Sequence, residues 1–123
     1  MKSNELKQMW DQQVAFMQLL QEKRNFPKTP VDITSKQGQQ FLDGISFHLM
    51  KELFEVGLCL KNSKSHRVTE NREVDCEAYK EELCDVLHLF FEICIASGIT
   101  MDELVKSYLD KGEVNTKRIL GGY

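Results

Sequence analysis

Features that mark the specialised protein classes are scarce in this chain of 123 residues. Proline occurs only at Pro27 and Pro30, both inside the aperiodic stretch 25–34, so the strongest helix breaker is missing everywhere else. No run alternates apolar and polar residues as a strand would, and there is no repeat or low-complexity tract. Basic residues do not outnumber acidic ones. The net charge of −3 argues against a nucleic-acid polymer as partner, because such proteins carry a basic excess. No apolar run has the length of a membrane span, and Met1-Lys2-Ser3-Asn4-Glu5 does not open a signal peptide; no membrane role is expected. The four cysteines, Cys59, Cys76, Cys84 and Cys94, lack Cys-x-x-Cys spacing, and three of them sit among apolar residues. Free thiols in a reducing, cytoplasmic compartment are expected, rather than a disulfide or zinc framework. The length suits one domain, 1–123, that buries roughly two-thirds of its unfolded surface.

What the chain does have is helical periodicity. Leu6, Met9, Trp10, Val14, Met17 and Leu20 recur at helical spacing from Asn4 to about Lys23. A second helix, capped by Thr34 or Ser35, carries Phe41, Ile45, Leu49, Leu53, Phe54 and Leu58 and ends near Leu60. A polar loop, 61–73, follows. Asp75 can cap a third helix that continues to Ser97; it is apolar nearly all round between Val86 and Ala96 and should be the most buried element. Gly98 ends it. Thr100-Met101-Asp102-Glu103 forms a capping box for a fourth helix, with Leu104, Val105 and Tyr108 on its inner side. The fold class is all-α, a four-helix, bundle-like domain, and so apolar a third helix points to an oligomer.

Two acidic pairs interrupt this apolar pattern. Glu52 with Glu55, and Glu82 with Asp85, are each three residues apart, one turn along one helix face. Their neighbours are Leu, Phe, Val and Met. If the second and third helices pack antiparallel, both pairs stand at the same height, some 10 Å from the connecting loop at about 1.5 Å per residue. Four converging carboxylates repel or take up protons unless cations lie between them. Oxygen-only donors select hard ions, Mg²⁺ first and Mn²⁺ second. Two other readings stay open here. Asp85-x-x-His88 has the shape of a di-iron ligand pair, but no second Glu-x-x-His exists. The acids of a non-catalytic helical dimerisation module would simply be surface charge. His48 and His88 are read as packing behind the acids or in the core.

The pattern Glu52-x-x-Glu55 followed by Glu82-x-x-Asp85 resembles that of the all-α nucleoside triphosphate pyrophosphatases, a superfamily that includes the MazG-like enzymes and the dimeric dUTPases. The spaced tail Tyr108-x-x-Lys111-x-x-x-Asn115-x-x-Arg118, then Gly122-Tyr123, is similar to the closing motif of the dimeric dUTPase branch. The basic loop Lys61-Asn62-Ser63-Lys64-Ser65-His66-Arg67 adds to the likeness, which runs from about His48 to the C-terminus. Lys51 stands where many members have a further Glu. The resemblance implies a nucleoside triphosphate substrate cleaved between the α and β phosphates, with a homodimer or homotetramer as the working form. Metal would be held by Glu52, Glu55, Glu82 and Asp85, with Glu52 or Glu55 orienting the attacking water. Lys111 and Arg118 are the candidates for the phosphates, with Lys64 and Arg67 behind them. Asn115 and Tyr108 suit sugar or phosphate. Base recognition falls to the first helix, where Trp10, Gln13, Phe16, Met17 and Gln18 offer stacking and amide groups.

Overall fold

The computed structural model describes residues 3–68, 70 and 73–122, with the backbone alone for 3 and 4. Tyr123, which closes the tail motif, lies outside the described residues. Four helices follow in order: α1 (Ser3–Arg24), α2 (Lys36–Leu58), α3 (Cys76–Ala96) and α4 (Met101–Leu120). The all-α class expected from the periodicity is what the chain adopts. None of these helices is long and apolar enough to cross a membrane by itself.

Local chemistry sets the helix ends. At the start of α2 the Ser35 hydroxyl accepts a bond from the Gly38 N–H at 2.9 Å and itself donates to the Asp32 carbonyl. Asp32 accepts from both the N–H and the hydroxyl of Thr34, which holds its carboxyl below the usual range. Asp75 caps α3 by accepting from the Ala78 N–H at 3.1 Å. The capping box of α4 is complete, with Glu103 N–H donating to Thr100 and Thr100 N–H donating to the Glu103 carboxylate. The bonds from the Gly38, Ala78 and Glu103 N–H groups each satisfy a first-turn donor that the helix leaves open. α3 stops at Gly98, whose φ of +80° suits a residue without a side chain, and the Ile99 N–H folds back onto the Cys94 carbonyl.

The chain packs as two compact units, Met1–Val31 with Cys94–Tyr123, and Asp32–Ile93. In the first, Trp10, Met17, Cys94 and Ala96 are buried, Met17 almost completely. The Val31 N–H donates to the Ala96 carbonyl there at 2.8 Å. In the second, Ile45, Val56 and Phe91 are buried, together with the carboxyl-bearing Glu92.

As expected, α3 is the most buried of the helices among the described residues, through Phe91, Glu92, Cys94 and Ala96, although Leu87 and Phe90 stay exposed. One expectation is corrected. Tyr108 does not face inward; it is 77% exposed. In both helices apolar character marks a surface that this chain, taken singly, leaves uncovered.

The glycines of α2 give a paired test. A Cβ on Gly38 would run into the Asp32 carbonyl oxygen and the Ser35 hydroxyl, whereas one on Gly44 would meet nothing within 4 Å. Gly38→Ala is expected to destabilise by about 1–3 kcal/mol through overpacking. Gly44→Ala should stabilise by about 0.5–1 kcal/mol through helix propensity. Urea denaturation of the two variants reads both signs.

Candidate metal centre

The acidic residues all belong to the unit formed by Asp32–Ile93. α2 presents Glu52 and Glu55 on one face because they are one turn apart, and α3 presents Glu82 and Asp85 in the same way. The Glu55 carboxyl lies within hydrogen-bonding reach of Glu82 across the helices and of Glu52 on its own helix. One carboxylate oxygen from each of Glu52, Glu82 and Asp85 can be chosen so that all three lie within 4.8 Å of one another. The pairing order reverses along the two helices, Glu55 with Glu82 and Glu52 with Asp85. α2 and α3 therefore run antiparallel at this point.

This is a high-energy arrangement for bare carboxylates. Oε2 of Glu52 and Oε2 of Glu82 are buried and accept no hydrogen bond. The hydrogen bond to Glu55, then burial, then the negative charges of Glu55 and Asp85 raise the Glu52 pKa, against a weaker opposing pull from His48. Burial leads for Glu82, followed by its bond to Glu55 and the charges of Glu55, Asp85 and Glu52. A hydrogen bond between two carboxyls needs a proton on one of them. The alternative that satisfies the same oxygens is a hard divalent cation, and the donor set fits one: oxygen only, anionic, two oxygens unpartnered. The converging group contains no histidine. His88 is exposed on α3 and His48 is exposed on α2, so neither packs in the core.

The remaining candidates are distributed over both units. Lys64 and Arg67 share the acidic unit and line a cavity of about 320 Å³ with Lys61, Asn62, Ser65, Val68 and Glu70. Lys51 holds its ammonium 5.2 Å from the centre of the Phe47 ring. Tyr108, Lys111, Asn115 and Arg118 lie on α4 in the other unit, exposed and spaced along one stripe. On α1, Gln18 and Phe16 are exposed, whereas Trp10, Gln13 and Met17 are buried. Of the two α1 glutamines considered for the base, Gln18 is therefore the accessible one. Sequence reasoning missed Glu92. Its signal was available: an acid inside the run Leu89-Phe90-Phe91-Glu92-Ile93-Cys94, seven residues after Asp85 and so on the same helix face.

The raised carboxyls fix the sign of a pH dependence. A group whose pKa is higher in the folded chain holds its proton more tightly there, so its favourable contribution is complete below the ordinary value of 4.5 and disappears as pH climbs through the raised value. Asp32 and Glu103 are shifted downward and act only at lower pH. In EDTA the melting temperature is expected to fall between about pH 4.5 and neutrality. Glu82→Gln should flatten that fall, and a melting temperature that rises over the same range would contradict the repulsion.

A family model described as dUTPase matches residues 33–123, covering α2, α3, α4 and both acidic pairs. No curated protein and no solved structure matches the chain. The matched span holds the whole carboxylate cluster and the Tyr108–Arg118 stripe. By that match and its helical fold, the chain belongs to the all-α dUTPase family, within the MazG-like nucleoside triphosphate pyrophosphatases.

Proposed function

We propose that the protein is an Mg²⁺-dependent pyrophosphohydrolase of (deoxy)nucleoside triphosphates, cutting between the α and β phosphates to release a nucleoside monophosphate and pyrophosphate. Membership of the dUTPase family supports a nucleotide pyrophosphatase. The observation that carries the metal dependence is the convergence of Glu52, Glu82 and Asp85 oxygens with two of them buried and unpartnered. Glu52, Glu55, Glu82 and Asp85 would hold the cation, with Mn²⁺ as a substitute. Bound there, the metal supplies charge for the phosphate oxygens and lowers the pKa of a coordinated water.

The protein's own groups do the rest. Glu52 or Glu55 orients the attacking water and accepts its proton. Lys111 and Arg118 meet the negative charge that builds on the departing pyrophosphate, and Lys64 and Arg67 add cations from the α2–α3 loop. Asn115 and Tyr108 position sugar or phosphate. Gln18 reads the base with its exposed amide.

The working unit is a homodimer or homotetramer of a single functional domain, 1–123. Support comes from large apolar side chains left uncovered in one chain: Phe54 and Leu58 on α2, and Leu109, Ile119 and Leu120 on α4. The free thiols Cys59, Cys76, Cys84 and Cys94 suit a cytoplasmic location.

Pyrophosphate release from each dNTP and NTP, dUTP included, tests the activity at equal concentrations with Mg²⁺ or Mn²⁺. Turnover of at least one deoxynucleotide is expected. Glu55→Gln or Asp85→Asn, still folded by circular dichroism, should lose about 100-fold or more, since even residues behind metal ligands cost 10–100-fold. No turnover across the panel with either ion would overturn the proposal. Light scattering should give a mass of at least twice 14.3 kDa, and a monomer at assay concentration would remove the oligomer.

A further inference from the structure

Beyond the four acids, α2 carries a histidine and α3 a fifth carboxyl on the faces that hold the acidic pairs. His48 is one turn before Glu52 on α2, and Glu92 is two turns after Asp85 on α3, about 10 Å along the axis. Because the helices are antiparallel here, both steps lead in the same direction, away from the α2–α3 loop. They place His48 about one turn, and Glu92 about two turns, beyond the Glu52–Asp85 rung.

Glu92 is 7% exposed, in a stretch where Phe91 and Cys94 are also buried. A carboxyl in such surroundings is costly unless a specific partner compensates it. Burial raises its pKa, and the charge of His48 acts against that rise. His48 acts in the same direction on Glu52. The imidazole, itself at the surface, thus acts electrostatically on both the buried Glu92 and a member of the cluster.

We propose that Glu92 is a positioning residue for the metal centre: it anchors His48, and His48 in turn holds the Glu52 carboxylate in place for the cation. The inference rests on the metal-binding reading of the cluster. An acid–imidazole pair behind a ligating group fixes its orientation and charge, as the groups behind metal ligands generally do. It also gives a reason for an ionisable residue in the apolar half of α3, where a Leu would pack without desolvation cost.

Mn²⁺ binding to the full chain, read from the loss of the free-ion electron paramagnetic resonance signal, tests this without reference to turnover. Glu92→Gln keeps the shape and removes the charge; His48→Gln changes a surface position and leaves the fold intact. Each is expected to weaken Mn²⁺ binding about 10-fold. The double variant should be no weaker than the worse single one, because the two groups act in series. Glu92→Leu, which fills the same space, should be weakened as well, which a purely structural role would not produce. Wild-type affinity in Glu92→Gln or Glu92→Leu, or losses that multiply in the double variant, would overturn the proposal while leaving the metal site standing. A wild-type chain that takes up no Mn²⁺ would overturn both.

Discussion

Mutual repulsion among carboxyl groups is the constraint around which the Asp32–Ile93 unit is built. Helix packing brings Glu52, Glu55, Glu82 and Asp85 together, although each would be better solvated apart. Apolar contacts elsewhere in the unit, such as those of Ile45, Val56 and Phe91, must outweigh that cost. The acids thus sit under a standing electrostatic load that protons or a cation relieve. A site stabilised for its own sake would carry a salt bridge at this position. The described salt bridges instead lie on exposed helix faces, at Lys7–Asp11, Glu77–Lys80 and Lys106–Asp110, where they contribute little.

Much of this was legible in the residues. The helix starts at Ser35, Asp75 and Thr100 follow from capping chemistry that needs only local sequence, and the acid spacing fixed which carboxyls share a face. Burial was harder to read, because apolar periodicity reports a face that seeks cover and does not say what covers it. Leu87, Phe90 and Tyr108 carry that signal and are exposed in the single chain. Glu92 was passed over for the opposite reason. One acid inside a long apolar run does not alter the periodicity, and its significance emerges only when the facing helix supplies His48.

The α4 stripe and the acidic cluster occupy separate units, which assigns them different demands. Under the proposed function the carboxyls would need fixed mutual positions to share a cation. Tyr108, Lys111, Asn115 and Arg118 are exposed side chains along α4, free of that requirement.

The antiparallel arrangement of α2 and α3 also bears on how the site is assembled. All four acids lie between residues 52 and 85, on consecutive helices joined by one loop. Closing that loop carries a modest entropic cost, which grows only logarithmically with its length. Contacts of such short sequence separation favour fast folding. The hairpin that carries the acids is therefore topologically local, and the acidic cluster depends on no contact from the N-terminal helix or α4.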